Sequence, residues 1–172
     1  MLNWIDTRSD KQLAAAAGDL FAVAFPDSPA PAGVWAAPGR VNLIGEHIDY
    51  AGGASIPFAL EQNTAVAVAP RTDGLLRIAS EYDGAVAHAS IPLADVRPGH
   101  PSDWSGYVVG TIWAATVANA LTCSGLDIAI VSDVPVGSGL SSSAALECST
   151  AVAAYEPVSY THLRAHETRG NL

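Results

Sequence analysis

The sequence has 172 residues, with 8 Lys and Arg against 17 Asp and Glu, and a formal net charge of −9. This length is enough for one domain with a buried core, and a hydrophobic share of 49% with 15% charged residues excludes a disordered chain. The acidic balance argues against nucleic acid as the main partner, because nucleic-acid binders present clustered Lys and Arg. A phosphate ligand stays open, since backbone N–H groups can bind phosphate on an acidic protein.

The cysteines and the N-terminal residues bear on the compartment. Cys123 and Cys148 form no C-x-x-C pair and are too few for a disulfide framework, so a reducing cytoplasm is the simplest interpretation. Both cysteines stand among apolar residues, where a free thiol is usually buried. The first ten residues carry no basic region, and the Ala-rich run after them is too short for a membrane span. We therefore expect a cytoplasmic protein with no membrane partner.

The predicted elements mix helices and strands along the chain. Ser9 and Gln12 are spaced as a capping box, and the Ala-rich helix that follows should end before Pro26. Strands are predicted over 34–37, 64–69, 75–80, 85–91 and 126–131, and further helices over 104–121 and 142–155. Residues 38–53 are predicted to be mostly loop, and the turn at 72–74 is typical of a hairpin. This order favours one α+β domain.

The first segment that indicates chemistry is a Gly- and Ser-rich loop at 134–145, which reads Val-Pro-Val-Gly-Ser-Gly-Leu-Ser-Ser-Ser-Ala-Ala. Glycines allow positive φ, so that successive N–H groups converge, and the following helix adds its partial positive charge. This pattern is typical of a phosphate site, although a plain Ser-capped helix explains the loop alone equally well. A Walker loop is excluded because the only Lys is Lys11, and Ser142 replaces the third glycine of a dinucleotide fingerprint.

A second segment, 39–50, places four ionisable side chains within ten residues: Arg40, Glu46, His47 and Asp49. Carboxylates accept hydrogen bonds from sugar hydroxyls, and an imidazole donates or accepts. Arg40 supplies a fixed cation suited to a transferring phosphoryl group. A solvated loop with local ion pairs is the alternative for any one of these residues. For the whole set that alternative is weaker, because apolar residues between them hold the segment in place.

Together the two segments resemble a known family. Residues 39–50 resemble the galactokinase signature at every defined position, and 134–145 resemble the ATP-binding motif of the GHMP kinases (galacto-, homoserine, mevalonate and phosphomevalonate kinases). The similarity runs from about Trp35 to Tyr155. It implies an α+β GHMP-kinase N-terminal domain of the ribosomal protein S5 domain 2-like type, with a mixed sheet and helices on one face.

The resemblance implies roles for residues of the first segment. Arg40 matches the arginine that assists phosphoryl transfer to the sugar O1. Glu46, His47 and Asp49 match residues that bind the galactose hydroxyls. Ile48 stands where Thr is frequent, which slightly alters hydrogen bonding in the loop but leaves the ligand side chains present.

The resemblance also implies an ATP site. The matching residues are Pro135, Gly137, Ser138, Gly139, Leu140, Ser141, Ser142 and Ser143, with Ser142 the preferred serine for Mg²⁺. Trp104 and Tyr107 match positions near the nucleotide base, but both residues could equally belong to the core. The implied activity is phosphorylation of galactose at O1 by ATP with Mg²⁺, in an enzyme expected to be monomeric. The alternatives are a sugar and ATP sensor without catalysis, and another small-molecule kinase of the superfamily.

The end of the chain does not fit this resemblance. Family members are longer, and the aspartate beside the sugar O1 and the C-terminal domain should lie beyond residue 155. Pro157 should break the last helix, and the residues from this proline onward do not resemble the family helix that they should continue. The resemblance to a translated adapter covers residues 157–168 of this stretch. We therefore expect residues 1–156 to be a truncated N-terminal domain, residues 157–172 a non-native tail, and the chain as written an inactive fragment.

Overall fold

The computed structural model describes residues 7–82 and 84–158, with the backbone alone at Asp49, Pro157 and Val158. Residues 159–172 of the predicted tail lie outside this described part. The main elements are α1 (Asp10–Ala24), β1 (Gly33–Ile44), β2 (Ile56–Pro70), β3 (Leu75–Tyr82), β4 (Ala85–Pro92), α2 (Ser105–Val117), β5 (Leu126–Ser132) and α3 (Ser142–Val158). Short 3-10 helices lie at Asp49–Ala51 and Leu93–Asp95.

The five strands form one sheet in the order β1-β2-β5-β3-β4. Only β3 and β5 are parallel, so the expected mixed sheet is confirmed. The hairpin predicted around 72–74 is wrong, because β5 lies between β2 and β3. The start of β5 occupies that gap: Arg71 N–H donates to Gly125 O at 2.9 Å, and Gly74 N–H donates to Ser124 O at 2.8 Å. A turn sequence specifies a change of direction, and it does not specify which strands pair.

Alternate residues of the central strand face two different cores. Ile128 and Ile130 of β5 belong to the core beneath α2 and α3, while Ala129 and Val131 belong to the core beneath α1. The α2 and α3 helices therefore share a face, but the expectation of helices on one face is wrong for α1. The predicted capping box of α1 is present, with Ser9 and Gln12 bonded reciprocally.

The first strand extends through residues that we expected to be mostly loop. Instead of ending near residue 37, β1 continues to Ile44 and pairs with β2, which itself begins at Ile56. Pro38 is tolerated because β1 is an edge strand. The pairing shifts register on both sides of Arg40–Asn42. Polar Arg40 and Asn42 alternate with apolar neighbours, which is typical of a strand, but the nearby Gly and Pro residues favoured the prediction of a loop.

Helix α2 begins and ends within its predicted span. It begins at Ser105, whose N–H and hydroxyl donate to Asp103 at 2.8 and 2.6 Å, and these bonds lower the pKa of that carboxyl. It ends at Val117, although Leu121 beyond it is still buried.

Helix α3 differs from the prediction at its C-terminal end. It continues to Val158, three residues beyond the predicted end, so the expectation that Pro157 breaks the helix is wrong for the described residues. Cys148 on this helix is exposed, so the expected burial of both cysteines is wrong for it. Cys123 is half-buried, and burial raises the pKa of its thiol.

A buried ion-pair cluster connects the end of β2 to its neighbours β5 and β3. The Asp127 carboxylate is fully buried and accepts from Arg77 Nε and Nη2 at 2.6 and 2.8 Å, and from Arg71 Nη1 at 3.0 Å. Burial alone raises the pKa of Asp127, but the hydrogen bonds from Arg77 and Arg71 outweigh it and hold the pKa below its usual value. Arg77 also pairs with Asp27 at 3.1 Å and lies over the Phe25 ring at 5.1 Å.

Candidate functional site

The Gly-Ser loop, residues 134–141, has the backbone of an anion-binding loop. Gly137 and Gly139 both have a φ of +74°, and Ser141 has a φ of +58°. An added Cβ at either glycine would meet open space, so these positions need glycine for backbone conformation. Left-handed residues in such a loop can turn neighbouring N–H groups toward one side, where they bind an anion. The Ser141 carbonyl accepts the first bond of α3 from Ala145 N–H at 3.0 Å, so the loop leads directly into the helix N-terminus.

Two backbone N–H groups of the Gly-Ser loop donate to side-chain hydroxyls of the sheet. Val134 N–H donates to Ser132 Oγ at 3.1 Å, and that hydroxyl also lies 2.8 Å from Thr64 Oγ1. Further along, Val136 N–H donates to the Tyr82 hydroxyl at 3.3 Å. Tyr82 closes β3, 54 residues earlier in the chain, and sequence reasoning did not identify it because no local pattern links it to the loop.

The two predicted motifs meet at Gly39, Arg40 and Leu140. Arg40 N–H donates to Leu140 O at 3.1 Å, which joins β1 to the Gly-Ser loop. A Cβ at Gly39 would lie 2.9 Å from the same carbonyl oxygen and 3.0 Å from Val134 Cγ1. Only glycine permits this close approach. The segment predicted to serve phosphoryl transfer and the segment predicted to bind ATP are therefore in direct backbone contact.

Arg40 and Asn42 carry buried polar atoms. The Arg40 Nε and both amide atoms of Asn42 are buried, and none has a hydrogen-bond partner within the described part of the chain. Each such atom costs about 1–3 kcal/mol of stability, and native structures contain few of them. Asn42 was not among the predicted site residues. Its only sequence signal is its place two residues after Arg40, within the 39–50 segment.

The loop between β1 and β2, residues 45–55, presents two of the predicted sugar-binding side chains to solvent. Glu46 and His47 are exposed, and the His47 ring stands edge-on to Tyr50 with centroids 6.3 Å apart. His47 adopts a φ of +62°, which is uncommon for a residue with a side chain and is found often at functional sites. Asp49 lies in the 3-10 helix of this loop, and its side chain lies outside the described residues.

A cavity of about 390 Å³ lies between α2, α3 and the segment 97–103. Tyr107 and Glu147 line it, and the Tyr107 side chain is 49% exposed. Trp104 is half-buried and packs against the core instead. The structure thus gives the two aromatic residues different surroundings. Glu147 follows Ser141 by six residues, so roughly 9 Å along the helix axis separates this side of the cavity from the Gly-Ser loop.

The described residues form no cluster of side chains that could hold a metal ion by themselves. Residues 7–82 and 84–158 contain no group of three or more His, Cys, Asp or Glu side chains able to hold a metal ion. Ser142 is half-buried at the first position of α3. One hydroxyl at this place suits Mg²⁺ that is bound mainly by phosphate oxygens and water.

Among residues 7–82 and 84–158, no helix is long and apolar enough to cross a membrane.

Two family models match the chain. The galactokinase galactose-binding signature matches residues 19–70, and the GHMP kinases N terminal domain matches residues 106–165. The first match contains β1, β2 and the loop between them, and the second contains the Gly-Ser loop and α3. The second match also includes residues 157–165 of the predicted tail.

Individual relatives agree with these matches. The chain is 48% identical to a galactokinase of Streptomyces coelicolor over 123 residues, which are 72% of this chain and 31% of that protein. It is 43% identical to a galactokinase of Bacillus subtilis over 64% of this chain and 28% of that protein. The chain thus spans about a third of the length of the curated relatives it matches.

Solved structures show the same fold. Lactococcus lactis galactokinase complexed with galactose superposes with a TM-score of 0.63 at 32% identity, over 79% of this chain and 35% of that one. Methanococcus jannaschii mevalonate kinase superposes with a TM-score of 0.60 at 21% identity, over 76% of this chain and 41% of that one. The second similarity extends to the fold alone.

Proposed function

Since the chain belongs to the GHMP kinase family and carries the galactokinase galactose-binding signature, we propose that it is the N-terminal part of an ATP-dependent galactokinase. The proposed reaction converts galactose and ATP to galactose 1-phosphate and ADP. The observation that carries the proposal is the contact of Gly39 and Arg40 with Leu140 O, because it joins a sugar-binding signature to an anion-binding loop.

The Gly-Ser loop is the proposed site of the ATP phosphates. Its N–H groups and the N-terminus of α3 favour negative charge without any lysine. The Ser138 hydroxyl donates to Pro135 O at 2.9 Å, so it stabilises the loop itself. Ser142 and Ser143 begin α3, where their hydroxyls suit phosphate oxygens or phosphate-bound Mg²⁺. The cavity beside Tyr107 is the proposed place of the base.

Arg40 is the proposed catalytic cation. In the transfer, the sugar O1 forms a bond to the γ-phosphorus while the bond to the bridging oxygen of ADP breaks. The O1 proton would pass to the aspartate that the family resemblance places beyond residue 155. The guanidinium would stabilise the negative charge that develops on the phosphoryl oxygens. Glu46, His47 and Asp49 are proposed to bind the other sugar hydroxyls, because carboxylates and imidazole match hydroxyl donors and acceptors.

We also propose that residues 1–172 alone do not catalyse this reaction. The β1–β2 hairpin exposes Leu43 and Ile44 at 73% and 65%, and Ile56 and Phe58 at about half of their surface. Exposed apolar patches mark interaction surfaces or ligand grooves, and this one suits contact with the C-terminal domain that the family resemblance implies. We further propose a cytoplasmic location, which suits two free cysteines, and a monomeric enzyme.

The test uses a completed enzyme, in which residues 1–156 are followed by the C-terminal remainder of the Streptomyces coelicolor galactokinase. ADP release is measured with galactose, mannose, mevalonate and homoserine as acceptors, and the 172-residue chain is assayed beside it. We expect galactose to be preferred and the 172-residue chain to be inactive. Preference for a non-sugar acceptor would refute the proposal. Binding of galactose and ATP without transfer would instead indicate a non-catalytic sensor.

A further inference from the structure

The side chain of Asn42 has no role in the reaction as described so far. Its Oδ1 and Nδ2 are both buried, and neither has a hydrogen-bond partner among residues 7–82 and 84–158. An apolar side chain of similar volume would avoid this unfavourable burial. A residue that destabilises the fold in this way needs another explanation, and functional sites are where such groups are found.

The backbone places Asn42 beside Arg40. The two residues are separated by one position on β1, so their side chains leave the same side of the strand. Arg40 stands opposite Ala59 of β2, and Asn42 stands opposite Pro57. Register shifts lie on both sides of this short paired segment, between Pro38 and Arg40 and between Asn42 and Ile44. Such irregularities re-aim side chains next to active sites.

The unpartnered atoms of the two residues are chemically complementary. Arg40 Nε is a donor, and it too is buried without a partner within the described part of the chain. Asn42 Oδ1 is an acceptor. A bond between them would use only the Nε–H of the guanidinium, so its terminal nitrogens would stay available for a ligand. Hydrogen bonds of this kind often tighten only when substrate is bound.

We infer that Asn42 is a positioning residue of the proposed kinase, whose Oδ1 accepts the Nε–H of Arg40 and fixes the plane of the guanidinium toward the transferring phosphoryl group. The inference rests on the proposed function. An arginine side chain has several rotatable bonds. A hydrogen bond to its Nε–H restricts their rotation before the reaction begins.

The test combines stability with kinetics. Asn42→Leu keeps a similar volume and removes both amide atoms, so the melting temperature of the 172-residue chain should stay equal or rise. In the completed enzyme the same substitution should lower kcat by roughly 10–100-fold, the usual range for a group that orients an active-site residue. The KM values for ATP and galactose should change little. Thr150→Val is the matched control, because Thr150 Oγ1 is also buried without a partner in the described chain, on α3. It should leave kcat unchanged.

A double-mutant cycle separates positioning from a general effect. Arg40→Lys keeps the positive charge but lacks the Nε–H donor, so Asn42→Leu should cause no further loss of kcat in that background. An equal loss in both backgrounds, an unchanged kcat, or a lowered melting temperature that accounts for the loss would overturn the inference while the proposed function stands. An inactive completed enzyme with wild-type residues 1–156 would refute the proposed function, and the inference with it.

Discussion

Replacing Gly39 by alanine tests the contact between the two motifs. The new Cβ would lie 2.9 Å from Leu140 O, 3.0 Å from Val134 Cγ1 and 3.2 Å from Leu60 Cδ1. An ordinary carbon–oxygen contact is about 3.3–3.6 Å, so the carbonyl or the strand must move by roughly half an ångström. The Arg40 N–H bond to the same carbonyl is 3.1 Å long, and a shift of that size removes it from the usual range.

The free-energy change follows from three contributions. Overpacking costs about 1–3 kcal/mol, and loss of the hydrogen bond costs about 0.5–1.5 kcal/mol. The reduced freedom of the unfolded chain offsets about 0.4–1 kcal/mol. We therefore expect Gly39→Ala to lower the free energy of unfolding by about 2 kcal/mol, which for a chain of this length lowers the melting temperature by about 4–8 °C. In the completed enzyme, the KM for ATP should rise because the Gly-Ser loop is displaced.

Gly18→Ala is the matched control. Gly18 lies within α1, and an added Cβ there meets no atom within 4 Å. This substitution should stabilise the chain by about 0.5–1 kcal/mol through helix propensity alone. Thermal unfolding measures both variants. If Gly39→Ala raises the melting temperature as Gly18→Ala does, and leaves the KM for ATP unchanged, the proposed role of the contact between β1 and the Gly-Ser loop is refuted.

Three further predictions concern parts of the chain on which the site depends. Tyr82→Phe removes the acceptor of Val136 N–H and should raise the KM for ATP about 2–5-fold, whereas an equal rise in the KM for galactose would contradict its role at the loop. Asp127→Asn should destabilise the chain by about 2–4 kcal/mol, below the full value for a buried ion pair because the amide keeps an acceptor. Because the folded pKa of Asp127 is lowered, its stabilisation is complete above the ordinary carboxyl pKa and is lost as pH falls through the folded value. Denaturant unfolding should therefore show that the difference in free energy of unfolding between wild type and Asp127→Asn decreases below about pH 4. A difference that stays constant with pH would count against the stabilising role of the Asp127 carboxylate. Ser9→Ala should lower the free energy of unfolding by about 1 kcal/mol through loss of the cap, and an unchanged denaturation midpoint would show that the capping box adds nothing.

Local patterns predicted most of the elements. The capping box of α1, the period-2 strands and the Gly-Ser loop before α3 all depend on residues close in sequence, and the structure has each of them. Pairing between strands depends on the whole sheet instead. The insertion of β5 between β2 and β3, held by Asp127, is set by burial on both faces and by ion pairs between distant residues. No short-range pattern encodes it.

The sequence also predicted some parts of the candidate site and not others. Arg40 and the Gly-Ser loop were predicted as separate motifs, and the contact through Leu140 O required the folded chain. Asn42 and Tyr82 escaped prediction because an asparagine in a strand and a tyrosine at a strand end are ordinary in sequence. Their distinguishing features are burial without a partner and a hydrogen bond across 54 residues.

The central claim is that residues 39–50 and 134–145 form one site for phosphoryl transfer to a sugar. The most direct test is formation of galactose 1-phosphate by the completed enzyme, followed by phosphorus NMR, for wild type and Arg40→Ala. Loss of a preorganised charge partner predicts a rate lower by roughly 10²–10³-fold, with ATP affinity nearly unchanged. An Arg40→Ala variant that forms galactose 1-phosphate at the wild-type rate would contradict the account.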